Sequence, residues 1–209
     1  MAGRLRVNPN RMELLKLRRR LLIARRGHKL LKDKFDELMK PFLALLNETK
    51  GLRFEVERDL AEAYHLFAMA RSEISTLEVE EALSFPQAST EVSFRKENLV
   101  SVTIPRFDVE ITGTIDCYGL ASTPALFDES LMRFKEILPR MVALAEKEKA
   151  ARLLAEEIEK TRRRVNALEY VLIPQLEETV RYITMKLDEF ERANLTRLMK
   201  IKEMVAEST

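Results

Sequence analysis

The 209-residue chain has no tryptophan, one cysteine, five glycines and seven prolines. A single cysteine closes no internal disulfide, so nothing points to an oxidising compartment. Cys117 reads as a small apolar side chain of the interior and not as a nucleophile. Aromatics make up only 7% of the residues. With so few turn formers, that composition argues against a compact globule and for long helices. Long apolar runs are missing too. The cluster Leu21–Leu22–Ile23–Ala24 is far too short for a signal-peptide core, and no stretch approaches the roughly 20 apolar residues of a membrane-spanning helix. The expected location is the cytoplasm, with any membrane association peripheral. Neither GxxxxGK[ST] nor GxGxxG occurs, so no loop is expected to cradle a nucleotide phosphate. One cysteine and two histidines do not make a transition-metal ligand set. No cofactor, metal site or catalytic residue is expected.

What the chain has in abundance is charge, 33% of residues, distributed unevenly. Residues 1–34 hold 12 Lys/Arg and 2 acids, residues 35–124 hold 8 and 16, and residues 125–209 hold 16 of each. Beneath the charge runs an apolar stripe. Leu17, Leu21, Ala24, His28, Leu31, Phe35, Leu38, Phe42, Leu45, Thr49, Leu52 and Val56 alternate by four and three. After one extra four-residue step the stripe passes through Leu60, Ala63, Phe67, Ala70 and Ile74 to Leu77. An average spacing of 3.5 keeps one face against a partner helix in a left-handed supercoil, and the extra step is a stutter. The C-terminal part matches it. Ala151, Leu154, Ile158, Thr161, Val165, Leu168 and Leu172 lead through a stutter to Leu176, Val180, Ile183, Leu187 and Phe190, and Leu198, Ile201 and Val205 finish the stripe. Asn8–Pro9 and Thr123–Pro124 each read as a cap followed by a proline at a helix start. Pro41, Pro139 and Pro174 fall inside the helical patterns and predict bends without termination.

Neither stripe is buried by one helix alone, so the two are expected to fold back on each other. The resulting fold class is mainly α: a long antiparallel two-helix coiled coil with a small central β-hairpin region. At ~1.5 Å per residue, 65–70 helical residues make a rod of about 100 Å. The expected organisation is an N-terminal long helix over 1–83, a hairpin and irregular connector over 84–123, and a C-terminal long helix over 124–209. In the centre, Val92, Phe94, Val100, Val102 and Ile104 recur at spacing two. This predicts a hairpin over about 91–105, turning at Lys96–Glu97–Asn98, with residues 106–123 irregular.

Two basic clusters stand out: Arg18, Arg19, Arg20, Arg25, Arg26 and Lys29 on the first helix, and Arg162, Arg163 and Arg164 on the second. They fit either solvated flanks of a coiled coil or a contact surface for an acidic or carbonyl-rich protein partner. Nucleic acid is disfavoured, because no aromatics interleave with the cations. His28 in the seam and His65 beside it read as packed or solvated helix residues, and Glu156–Glu157 and Glu177–Glu178 as parts of a solvated face. A coiled-coil scaffold that binds anionic membranes through its basic face is one functional reading, and it predicts salt-sensitive vesicle binding.

Three stretches carry a family resemblance. Val7-Asn8-Pro9-Asn10-Arg11-Met12, Arg26-Gly27-His28-Lys29-Leu30-Leu31-Lys32-Asp33-Lys34, and Thr161-Arg162-Arg163-Arg164-Val165-Asn166-Ala167-Leu168-Glu169 followed by Ile173-Pro174 resemble the D subunit of V-type and archaeal-type (V/A) rotary ATPases. Asn10 stands where that family commonly has threonine. The resemblance implies a central-stalk rotor axle that carries torque between a catalytic hexamer of A and B subunits and a membrane ring moving protons or sodium ions. Its implied partners are the F subunit of the central stalk, the A and B subunits and a ring-capping subunit of the C/d type, with no nucleic acid and no direct membrane insertion. It also implies that the central hairpin lies on the side of the F subunit, and that the basic residues near the termini touch the hexamer cavity.

Overall fold

The computed structural model describes residues 5, 7–84, 86–115, 118–119 and 123–207; Cys117 lies outside them. Helix α1 spans Arg11–Glu73. It starts on Asn10, whose side-chain oxygen accepts the Glu13 N–H at 2.7 Å. An N-cap works by satisfying one of the free donors of the first turn, so the cap is Asn10 and not the Asn8–Pro9 pair that the sequence suggested. At the other end α1 stops short of the predicted 77–83. Ser75 opens a new helix, α2 (Thr76–Leu83), through a reciprocal capping box: its hydroxyl accepts from Glu78 N–H and its own N–H donates to the Glu78 carboxylate. Leu77, the last member of the predicted stripe, is therefore 77% exposed, and Val79 is buried in its place.

Strands β1 (Ser89–Leu99) and β2 (Val102–Thr112) form an antiparallel hairpin in unbroken register, with Phe94 opposite Phe107 and Val92 opposite Val109. The turn is Val100–Ser101, both at positive φ (47° and 70°). A two-residue loop with both residues left-handed is the type I′ geometry that matches strand twist. The predicted turn at Lys96–Asn98 and the irregular stretch from 106 are thus corrected. Placing the turn at Val100–Ser101 pairs eleven residues on each strand, aromatic against aromatic and valine against valine. The ladder stops at Gly113 (φ +88°), where a Cβ would come within 2.2 Å of the Gln87 carbonyl oxygen. Only glycine fits there.

Helix α3 (Ala125–Asn166) follows, then a π-helical segment (Ala167–Leu172), then α4 (Ile173–Glu207). Pro41 and Pro139 sit inside continuous helices. Pro174 is the second residue of α4, directly after the π-helix. A proline lacks the N–H of the i→i−4 ladder and its ring crowds the carbonyl four residues back. The wide turn displaces that carbonyl, and Ile173 N–H bonds to Leu168 O, five residues back. The run of four-residue steps at 168–172–176–180 falls on the same place. In this helix the stutter is absorbed as a π-turn.

The chain divides into two compact units, residues 1–36 with 159–209 and residues 37–158. In the first, Leu17 and Ala24 of α1 pack on Leu176 and Ile183 of α4, with Leu21, Leu172, Val180 and Leu187 around them. Each fully buried aliphatic side chain of this kind contributes about 1.5–3 kcal/mol. Leu5 and Val7 join this core, and Leu5 N–H donates to Thr179 Oγ1 at 3.1 Å. The pairing is antiparallel: Arg11 bonds Glu191, Arg25 bonds Glu177 and His28 bonds Glu169.

In the second unit, Val56 and Ala63 of α1 pack on Ile137 of α3, and Ala70 and Ile74 pack with Val79 and Phe127. Phe67 and Tyr118 lie 5.9 and 5.2 Å from the Phe127 ring. Here too the helices run antiparallel, with Glu48–Lys147 at 3.0 Å and Asp59–Arg140 at 2.6 Å. The hairpin is tied to α3 through Glu146, whose carboxylate accepts the Phe107 N–H at 2.7 Å.

Candidate functional site

All nine basic residues singled out in the sequence lie in the first unit, and all are exposed. At about 100° per residue they occupy distinct faces of α1. Arg18, Arg25 and Lys29 form one row along the flank of the seam, Arg19 and Arg26 point away from the core, and Arg20 lies on the opposite flank. The flank row meets α4. Arg25 Nη2 is 2.6 Å from Glu177 Oε1, and Arg18 lines a shallow groove with Leu14, Leu187, Asp188 and Glu191. On the second helical arm, Arg163 bonds Glu159 one turn back, and Arg162 borders a groove with Lys32, Phe35, Asp36 and Glu169. Among the described residues, Arg19, Arg20, Arg26, Lys29 and Arg164 make no ion pair. The clusters thus separate into cations that help dock α1 on α4 and cations directed outward.

A second feature escaped the sequence reading. Arg11, the first residue of α1, pairs with Glu191, yet α4 continues to Glu207. The predicted end of the seam is accordingly solvent-exposed: Phe190, Leu198 and Ile201 are 51–62% exposed. The periodicity was visible; the overhang depends on the register of the two helices, which no local pattern encodes.

His28 is half-buried and its Nε2 lies 3.3 Å from Glu169 Oε2, on the π-helix; His65 is exposed. Glu177 is occupied by Arg25. Among the described residues no three His, Cys, Asp or Glu side chains converge in a metal-binding group, and no helix is long and apolar enough to cross a membrane.

These features define a long-helix protein: in each unit α1 pairs antiparallel with a helix of the C-terminal half, the first unit carries the basic residues and the second the hairpin. The family model for the ATP synthase D subunit matches residues 13–203. The V-type ATP synthase D subunit of Thermoanaerobacter sp. (strain X514) is 55% identical over 95% of this chain and 96% of its own length. That of Acetivibrio thermocellus is 52% identical over 97% and 93%, and that of Fusobacterium nucleatum 50% over 97% and 98%. The chain belongs to the family of ATP synthase D subunits.

Proposed function

We propose that this chain is the central rotor axle of a V/A-type rotary ATPase, carrying torque between ATP turnover in a hexamer of A and B subunits and ion movement through a membrane ring. The observation that carries the reading is the antiparallel pairing of the two helical arms in both units of a chain from the D-type family. Apolar seams and cross-helix ion pairs resist sliding and unwinding, which an axle requires. The chain supplies no catalytic group; turnover takes place on its partners. The F subunit and a ring-capping subunit of the C/d type hold the axle at its hairpin side, and the assembly keeps the chain peripheral to the membrane. The basic end, with Arg18, Arg19, Arg20, Arg25, Arg26 and Lys29, turns inside the hexamer against acidic or carbonyl groups, and Arg162, Arg163 and Arg164 lie further along the shaft. Purification of the native complex through a tag on this chain tests the reading. Recovery of A, B and F subunits in a particle whose probe-labelled shaft rotates on ATP addition supports it. Recovery without them, or salt-sensitive binding of the isolated chain to anionic vesicles, would replace it with the membrane-scaffold reading.

A further inference from the structure

The hairpin's two edges are not equivalent. Phe107 N–H donates to Glu146 and so does not donate to β1. In an antiparallel ladder hydrogen-bonded and non-hydrogen-bonded pairs alternate, so the register of β1 and β2 fixes every other residue. Pro105, two positions from Phe107, has no N–H to offer at the next outward slot. The outer edge of β2 is thus blocked at two adjacent slots by one proline and one carboxylate, devices by which sheets hinder pairing with another chain. On β1 the same phase turns the N–H groups of Thr90, Val92, Phe94, Lys96 and Asn98 outward. No proline, helix or side chain covers them among the described residues, and β1 is exposed along its length up to Leu99.

The side chains beside this open edge have an equally uneven fit. On one face Phe107 and Val109 are half-buried, while their partners Val92 and Phe94 are 51% and 64% exposed. Phe94, with Phe107 and Val109, borders an open groove of about 760 Å³ shared with Pro139, Val142 and Ala143. On the other face two diagonal ion pairs, Arg95–Asp108 at 2.6 Å and Arg106–Glu97 at 2.5 Å, satisfy four charges. Glu91 and Glu110 stand directly opposite each other, with no ion pair among the described residues. Like charges in opposed positions repel.

We infer that β1 is a docking edge for an extended strand of another protein, which presents a lysine or arginine toward Glu91 and Glu110 on one face and branched or aromatic side chains toward Val92 and Phe94 on the other. Main-chain bonds to the outward N–H groups supply the pairing, and the alternate side chains supply the selectivity. That the strand comes from a companion subunit rests on the proposed place in a rotary assembly.

Residue-resolved hydrogen exchange on the native complex and on the isolated full chain tests this. The expected result is that the Val92, Phe94 and Lys96 amides exchange at least tenfold more slowly in the complex, while Ser93 and Arg95, already bonded to β2, change little. Lys96→Pro removes one outward donor without touching a β1–β2 bond and should reduce the slowing at Val92 and Phe94 to less than twofold. Unchanged Ser93 and Arg95 rates in the isolated variant show that its hairpin is intact. Glu91→Arg should likewise loosen the protected edge. Equal exchange of the outward amides in both states overturns the inference while leaving the axle reading in place, whereas failure to recover the chain with rotary subunits overturns that reading. Slowing that appears in the isolated chain and grows with its concentration would assign the edge to a second copy and overturn the heterologous strand.

Discussion

Arg25 and Glu177 are joined at 2.6 Å across α1 and α4, while Arg26, one residue on, points away from α4 and pairs with nothing among the described residues. Adjacent arginines of one cluster thus have different roles open to them. Exposed ion pairs contribute about 0–1 kcal/mol, so Arg25→Glu should lower the unfolding midpoint only slightly. Arg19→Glu with Arg26→Glu should leave helix content and melting unchanged and slow ATP-driven rotation of the assembled complex. Circular dichroism and single-molecule rotation on the same preparations separate the two effects. Normal rotation by the double variant would remove the outward row from the contact surface.

Thr161 is fully buried in the seam, and its hydroxyl has no hydrogen-bond partner. Thr179, also buried, donates to Gln175 O and accepts from Leu5 N–H. An unpaired buried hydroxyl costs about 1–3 kcal/mol, and replacing it by an apolar group of the same shape recovers much of that. Thr161→Val keeps the β-branch and should raise stability by about 1 kcal/mol, whereas Thr179→Val should lower it. Paired thermal melts check the opposite signs.

Leu176 and Leu198 are both members of the C-terminal stripe, one fully buried and the other 62% exposed. Leu176→Ala opens a cavity and should cost about 2–5 kcal/mol. Leu198→Ala should change stability by less than about 0.5 kcal/mol. If chemical denaturation found equal losses, the α4 overhang would have a cover in the isolated chain.

Glu146→Ala leaves the Phe107 N–H without an acceptor and removes the tie between hairpin and α3. Hydrogen bonds to charged groups contribute about 1.5–3 kcal/mol, so the Phe107 amide should exchange at least tenfold faster. The Arg106 and Asp108 amides, which face β1, should be spared. Uniform acceleration would mean that the hairpin itself depends on α3.

The Arg106 guanidinium is held above its usual pKa by its hydrogen bond to Glu97 and by that carboxylate's charge, with Glu146 adding to the field. A raised pKa in a cation means stabilisation that is complete at lower pH and lost only as pH climbs past the folded value, well beyond neutrality. Hairpin order, followed by exchange at Glu97, should therefore stay level across the neutral range.

Most of the fold was legible because a 3.5-residue stripe is a global instruction repeated at every turn: from Leu17 to Ile74 every predicted seam residue is buried or half-buried. Two local features were misread, the first because the strong pattern ran over it. Ser75-Thr76-Leu77-Glu78 is a readable capping box, but the stripe continued through it on paper to Leu77. The hairpin turn was hidden for the opposite reason. Val100 and Ser101 lack the Asn-Gly or Asp-Gly signal of a type I′ turn, and a β-branched residue at positive φ is rare, so only the pairing of eleven residues on each side reveals it. The basic residues were found, but their division into docking and outward rows required the α1–α4 register. That register is settled by summed packing along both helices, which short motifs do not record.

The π-helix at Ala167–Leu172 also bears on how the family's length can vary. A π-turn is an α-helix carrying one surplus residue, and here the surplus is confined between α3 and α4, ahead of Pro174. Losing one residue inside this segment would let the backbone close up as ordinary α-helix and leave every later side chain on its present face. The same deletion inside α3 would rotate all that follows by about 100° and carry Leu176 and Ile183 out of the seam. Single-residue gaps between functional relatives should therefore collect at this one place along the C-terminal arm.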